Sequence, residues 1–487
     1  MSSEPVAQLM VIGWAFVFLI EGASGFGTPA ALAAPLLVAL GFRPVHAALF
    51  CLVCDTVPTS FGAVGTPTWF GFSRLDLDAE TLAAVAWRTA LLQAAAACVV
   101  PLVALRLVLP WAAIRPHLLF IALAIAACVV PYVAVARFSD EFPALIGGAI
   151  GLPVTVLLAR WRIGLGRSSS QPAAEKDGAG AKEVEEVEEV EEVREVEAVP
   201  VAPVTSQGLG PAAPAPEAAP AVVPDTAALG PWALTKAFLP LGLIIAILVL
   251  TRLPQLPFQG WMTNTQDWLR LGLGGLGEWR LSQGLVWSMG NILGTGEGES
   301  YRLLYVPALI PFGVVALLCW PLLGLRRAQM LAVGSETVRQ LARPTLALVA
   351  ALIFVKLMMM GGDGAATVRI GRALADLAGP AWPLVAPFLG ALGAFFSGSA
   401  TVANLTFAPI QQEVALSLGL NQASVLALQS AGGAMGNMVC IHNIVAVCTI
   451  LALRDSESKI LKLALLPLLI YGLTVGLAGL FFDAVGW

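Results

Sequence analysis

Residues 18–42 read FLIEGASGFGTPAALAAPLLVALGF. Two apolar arms flank a tip made of Glu21, Ser24 and the glycines 22, 25 and 27. In a soluble chain such a tip would be a surface turn. These arms are too apolar to face water. Irregular backbone at membrane depth is tolerated only where it is buried in protein or lines a wet cavity. The stretch therefore predicts a membrane chain whose helices break inside the protein, and it marks the break as the place where function resides.

The rest of the chain agrees. Of 487 residues, 58% are hydrophobic and 12% charged, and the mean hydropathy is +0.82. Soluble globular chains are roughly 45–50% apolar and about 25% charged. A folded soluble protein cannot hide this much apolar surface. An ordinary soluble enzyme, a nucleic-acid binder and a disulfide-rich secreted module are all excluded. The seven cysteines are scattered through apolar stretches and read as small buried hydrophobes. Cys51 and Cys54 form a C-x-x-C with no second pair, so neither a zinc site nor any other metal is expected. The first apolar segment has no basic leader and runs straight into the tip, unlike a cleavable signal peptide.

Spanning stretches of about 20 residues fall at 82–108, 114–136, 141–160, 231–251, 303–324, 344–361 and 463–485. Three apolar regions, 5–42, 44–72 and 382–453, are broken by Gly, Pro, Ser and Thr. Between Val414 and Leu453 there is no Asp, Glu, Lys or Arg, yet this stretch contains QSAGGAMGNM. Residues 164–230 are another material: EVEEVEEVEEVREVE followed by an Ala- and Pro-rich run. Val recurs there at every third position from Val184 to Val199, a spacing that smears around a 3.6-residue helix. A solvated disordered linker is expected. It holds 13 acids and 4 bases, leaving 19 acids and 23 bases elsewhere. The membrane body is thus mildly basic, which suits an anion better than a cation.

Lys and Arg near span ends set the orientation. Arg160, Arg162 and Arg167, then Arg326, Arg327, Arg339 and Arg343, then Arg454, Lys459 and Lys462 all fall in the cytoplasm if 5–42 and 382–420 are re-entrant hairpins entering from opposite faces. Segments 44–72 and 422–453 then cross once each as broken helices. The fold expected is an all-α polytopic membrane protein with an inverted repeat. Residues 1–163 form its first half, 164–230 a cytoplasmic linker and 231–487 its second half. Segment 252–302 lies outside.

At the first tip, Thr28 and Pro29 make a helix start, with a hydroxyl N-cap and Pro at the first helical position. Gly25 and Gly27 let the backbone approach a ligand. A half-helix N-terminus at the midplane favours a carboxylate. The second tip offers the same groups in Gly398, Ser399, Thr401 and Asn404. Each ionisable group at membrane depth costs about 2.5–3.5 kcal/mol and needs a reason. Glu21, Asp55 and His442 are candidate proton carriers. Arg88 and Lys356 read as snorkelling cations, Glu413 as a hairpin-base charge, and Glu297 and Glu299 as outer-loop residues.

FLIEGASGFGTPAALAAPLLVALGF and DTVPTSFGAVGTP (55–67), with GAFFSGSATVANLTFAPIQ (393–411) and QSAGGAMGNMV (429–439), resemble the two signatures of the bacterial lactate permease family. The resemblance covers the chain from about Gln8 to its end apart from the linker. It implies proton-coupled uptake of L-lactate, D-lactate or glycolate across the inner membrane. The chain departs from the family pattern at Asp55, Ala400, Asn437, Ile441 and His442. The family also implies further helices before the first tip, encoded upstream or supplied otherwise.

These readings together give a secondary active transporter of a small monocarboxylate. Gly25, Gly27, Thr28, Ser399 and Thr401 clasp the carboxylate, and Asn404 orients the 2-hydroxyl. No catalytic residue is expected, and no cofactor apart from a coupling ion, H+. The expected partners are a small organic anion and the lipid bilayer, with no nucleic acid and with a homo-oligomer left open. A sodium-coupled carrier of another organic anion, a membrane-embedded enzyme using Asp55 and His442, and a sensor acting through the linker are the alternatives.

Overall fold

The computed structural model describes residues 4–25, 27–166, 231–252, 256–294, 298–305, 310–361, 364–453 and 455–485. From residue 167 to residue 230 the linker lies outside the described residues, as do Glu297, Arg454 and the side chains of Glu299, Arg339, Arg343 and Lys356. Among the described residues, seven helices are long and apolar enough to cross a membrane, or eight if one bent pair counts as a span. The chain is an all-α polytopic membrane protein.

The first half runs α1 (Pro5–Ala23), α2 (Thr28–Ala39), α3 (Pro44–Asp55), α4 (Pro58–Trp69), α5 (Ala79–Val108), α6 (Trp111–Ala136) and α7 (Pro143–Arg160). The second runs α8 (Pro231–Arg252), α9 (Ile310–Leu322), α10 (Arg327–Met359), α11 (Ala366–Ala378), α12 (Trp382–Ser397), α13 (Ala400–Leu418), α14 (Gln422–Met435), α15 (Ile441–Ile450) and α16 (Glu457–Ala484). The order helix, glycine tip, helix, broken helix occurs twice, in α1–α4 and in α12–α15.

Local chemistry explains both copies. Chain reversal after α1 uses Gly25 and Gly27, at φ 62° and 73°, a region open to glycine at no steric cost. Pro44 and Pro58 start α3 and α4, where a missing N–H is harmless. The α3–α4 pair bends by 54°. In the second copy, α12 stops at Gly398 in the left-handed conformation, and Ser399 caps α13 by accepting from the Val402 N–H at 3.3 Å. Asn421 caps α14 in the same way at the Ser424 N–H. The turn Gly436–Met438 separates α14 from α15.

Helix α1 is the central post. Its 19 residues rise about 28 Å, close to the hydrocarbon thickness. Trp14 and Phe18 are fully buried on it. Its middle, Leu9–Phe16, is wound as a π-helix, a form concentrated near functional sites. Glycines let neighbours approach closely, as in membrane helix pairs generally. A Cβ at Gly22 would lie 2.4 Å from the Leu145 nitrogen, and one at Gly432 would lie 2.0 Å from the Pro387 oxygen.

The two copies interlock crosswise. Helix α13 packs on Gly62–Trp69 of α4, and α15 packs on α2. Helix α14 meets Pro58–Phe61, and α3 meets the Gly436–Met438 turn. Each tip therefore leans on the other copy's break.

Several elements differ from expectation. The span expected at 344–361 is the end of the 33-residue α10. Helix α11 was not expected. With α12 it forms a 30-residue run, Val368–Ser397, and its Arg372 pairs with Glu413 of α13 at 3.0 Å. Segment 252–302 is not merely a connection, because it carries a four-stranded antiparallel meander, β1 (Asp267–Gly272), β2 (Glu278–Ser282), β3 (Val286–Gly290) and β4 (Glu299–Arg302). Its Trp268, Trp279, Trp287, Val286 and Tyr301 favour strands. The facing arginines 270 and 280 both bond Glu278, at 2.7 and 2.6 Å, which removes their mutual repulsion.

Candidate functional site

The crosswise packing brings both tips and both breaks to one cleft. It is lined by Glu21, Gly25, Thr59, Gly62, Ala63 and Pro67 from the first copy, facing Gly398, Ser399, Ala400, Thr401 and Asn437 from the second. The cleft measures about 20 Å³. That admits a water and is too small for a three-carbon acid.

Glu21 closes one end. Its carboxyl is buried, at 2% exposure, and lies beside the Asp55 carboxyl and the Thr59 hydroxyl. Asp55 is equally buried, at 1%. An ionised carboxylate can only accept hydrogen bonds, so two carboxyls can bond each other only with a proton between them. One oxygen of each, Glu21 Oε2 and Asp55 Oδ1, has no partner. Thr59 donates its single hydroxyl proton to the Asp55 carbonyl at 2.6 Å, so towards Glu21 its oxygen can only accept. A larger residue at position 62 would displace this carboxyl, because a Cβ there would sit 2.0 Å from Glu21 Oε1.

Backbone strain shapes the first break. Ala63, Val64 and Gly65 are successively left-handed, at φ 44°, 56° and 71°. This is an outlier conformation for a β-branched residue. The carbonyls it frees are taken locally: Thr66 donates to the Ala63 oxygen at 2.6 Å and Trp69 to the Val64 oxygen at 3.1 Å. Outside the helices, the loop before α7 presses the Asp140 carbonyl towards Gly65. Burial pushes the Asp140 carboxyl above its usual range. The neighbouring Glu141 accepts from Tyr305 at 2.6 Å, which ties this loop to the end of the meander segment.

Gly25, Ser399 and Thr401 line the cleft with Glu21, and the first turn of α13 aims its positive dipole end there. Gly27 does not line the cleft. It is the N-cap of α2, and a Cβ on it would meet Asn443 Oδ1 at 2.6 Å. Thr28 is not a cap. The left-handed Gly27 moves the helix start forward by one residue, so Thr28 is already helical and makes no capping bond. It lines a separate apolar crevice with Phe16, Ile20, Leu32, Pro240 and Phe312. His442 is exposed in the first turn of α15, beside Gly398 and outside the cleft lining.

Asn404 is fully buried, but its amide is already engaged. Its Nδ2 donates to the Pro67 carbonyl at 2.9 Å, and its Oδ1 accepts from Gln429 at 3.3 Å. Gln429 in turn accepts from Gln411 at 2.9 Å, and Gln411 accepts from Trp382 at 2.9 Å. A second buried chain joins the copies elsewhere. Ser60 donates to the Ser430 carbonyl at 3.2 Å and accepts from Gln93 at 2.7 Å, and Gln93 accepts from Tyr471. Thr59 and Gln93 were missed as candidates, and Asn437 was noted only as a departure from the family pattern. Two signals were present: the i, i+4 spacing of Asp55 and Thr59, and a Gln in the middle of a largely apolar span.

An apolar helical body with two interlocked broken units, closing on a cleft that backs onto a buried carboxyl pair, defines the class of membrane carriers. The chain belongs to the L-lactate permease family, whose model matches residues 1–199 and 225–485. It is a multi-pass membrane transport protein and not an enzyme. It is 42% identical over 478 residues to a Haemophilus influenzae protein provisionally named an L-lactate permease, covering 98% of this chain and 80% of that one. It is 25% identical to the L-lactate permease of Bacillus subtilis, covering 93% of this chain and 74% of that one. It is 23% identical to a glycolate permease of Escherichia coli, covering 96% and 77% respectively. No solved structure matches the chain.

Proposed function

We propose that the protein is a proton-coupled importer of a small monocarboxylate, lactate or glycolate, in the bacterial inner membrane. The observation that carries this reading is the Glu21–Asp55 pair at the wall of a cleft whose other wall is a helix N-terminus with Ser399 and Thr401. The substrate carboxylate takes the donors of the α13 first turn. The carboxyl pair holds the coupling proton beside it, so that two negative charges do not share one cavity. Alternating access follows from parting the tips, each against the opposite break. The re-entrant, inverted arrangement, the linker on the cytoplasmic side, contact with lipid and any homo-oligomer belong to this same proposal. The crosswise packing and the names of the relatives support it.

Glu21→Gln and Asp55→Asn in proteoliposomes test it. Each variant mimics a protonated carboxyl. The variant of the true carrier keeps exchange of internal for external acid and loses accumulation driven by a pH gradient. If both variants still concentrate lactate on a proton gradient alone, the pair is not the coupling site. If wild-type uptake needs sodium, the coupling ion is wrong.

A further inference from the structure

We propose that Asn437 is the residue that reads the substrate's 2-hydroxyl, with its side-chain oxygen as the acceptor. This assignment rests on the transport reading above and deepens it. Asn437 lines the cleft and is only 4% exposed, and its Oδ1 has no hydrogen-bond partner. A buried amide oxygen left unpaired is costly, and on a residue that lines the cleft such an atom, covered while the tips are together, is one that a ligand donor can satisfy when they part. Asn404, the other amide near the second tip, has both its polar atoms engaged with Pro67 and Gln429.

The position of Asn437 is fixed from both sides. It sits in the Gly436–Met438 turn, where a Cβ on Gly436 would meet the Ala391 carbonyl at 2.5 Å. Asn443 donates to the Asn437 carbonyl at 3.3 Å, and the same Asn443 lies against Gly27 of the first tip. The turn is thereby pinned between the two tips.

The chemistry then selects the ligand. A carboxylate offers only lone pairs and gains nothing from an amide oxygen. A hydroxyl on the adjacent carbon offers one proton. With the carboxylate on the α13 first turn, Ser399 and Thr401, that hydroxyl is the part of a 2-hydroxy acid able to satisfy Asn437. The same acid without its hydroxyl leaves the oxygen unpaired. A 2-oxo acid brings a second acceptor against it. A site built to bond a substrate hydroxyl discriminates strongly for this reason.

The test is competition against labelled L-lactate with the purified full chain in proteoliposomes, using acetate against glycolate and propionate and pyruvate against L-lactate. In the wild type each 2-hydroxy acid should compete about tenfold to hundredfold better than its deoxy or oxo counterpart. Asn437→Leu, of similar size and unable to accept, should bring the glycolate-to-acetate ratio to within about threefold of unity, and Asn437→Ala should do the same. Equal competition by acetate and glycolate in the wild type overturns the assignment without needing a variant. Pyruvate competing as well as L-lactate overturns it too, because the amide would then present its NH2. A ratio that survives in both folded variants assigns the hydroxyl to another residue. If no short acid competes at all, the transport reading itself fails and this assignment falls with it.

Discussion

On the proposed role of Glu21 as proton carrier, a single methyl group placed at position 62 should break coupling. Gly62 has φ −62° and ψ 159°, a backbone that alanine adopts without strain. The effect of Gly62→Ala is therefore purely the collision of its Cβ. That carbon would lie 2.0 Å from Glu21 Oε1, and ordinary contact begins at 3.4 Å, so the carboxyl must retreat by about 1.4 Å. The retreat is longer than the slack in a hydrogen bond. It separates Glu21 from Asp55 and Thr59. Leaving a buried polar group unpaired costs about 1–3 kcal/mol, which is roughly tenfold to hundredfold in an equilibrium. Proton-driven accumulation of lactate in proteoliposomes should fall by that factor, while the protein still inserts. Glu21→Asp shortens the side chain by about 1.5 Å, one carbon–carbon bond, and should recover part of the loss when combined with Gly62→Ala. Normal accumulation by Gly62→Ala would refute the reasoning. So would a double variant no better than the single one when Glu21→Asp alone is active.

Two further substitutions probe the tip and the buried amide chain. Gly27→Ala adds about 1–2 kcal/mol of left-handed strain and drives a Cβ to 2.6 Å from Asn443 Oδ1, whereas Gly41→Ala, at φ 96° with open space around it, adds only the strain. Thermal melting of the purified protein should fall further for Gly27→Ala than for Gly41→Ala, and equal shifts would show that the Asn443 contact is unimportant. Gln411→Leu strips the buried Trp382 N–H of its acceptor and Gln429 of its donor. It should cost about 2–4 kcal/mol, read as a lower Tm, and an unchanged Tm would show that the chain of amides is replaceable.

The breaks were legible because Gly, Pro and Ser interrupt stretches that are otherwise membrane-grade. Glu21, Gly25, Ser399 and Thr401 were legible as tip residues for the same reason. What the sequence hid was which polar atom each partner leaves free. Asn404 and Asn437 are the same residue type, each close to a tip or break. The Pro67 carbonyl, more than three hundred positions away, and Gln429 engage the first amide and leave it no free polar atom. The misplaced cap at Thr28 came from Gly27, whose left-handed backbone is invisible in a string of letters. Helix α11 was missed because its arginines lower its hydropathy, although they lie on one face. The meander was missed because Gly and Leu runs blur the alternation that marks a strand.

Because each tip is completed by the other copy's break, neither half of the chain contains a site of its own. Ser60 with Ser430, Pro67 with Asn404, and Gly27 with Asn443 are contacts between residues that mutate independently in one gene. A change at one member alters the shape the other must fit. Across many descendants of a common ancestor, substitutions at these distant positions should therefore arrive in pairs. The historical record of the family would then show correlated columns hundreds of positions apart, concentrated around the cleft.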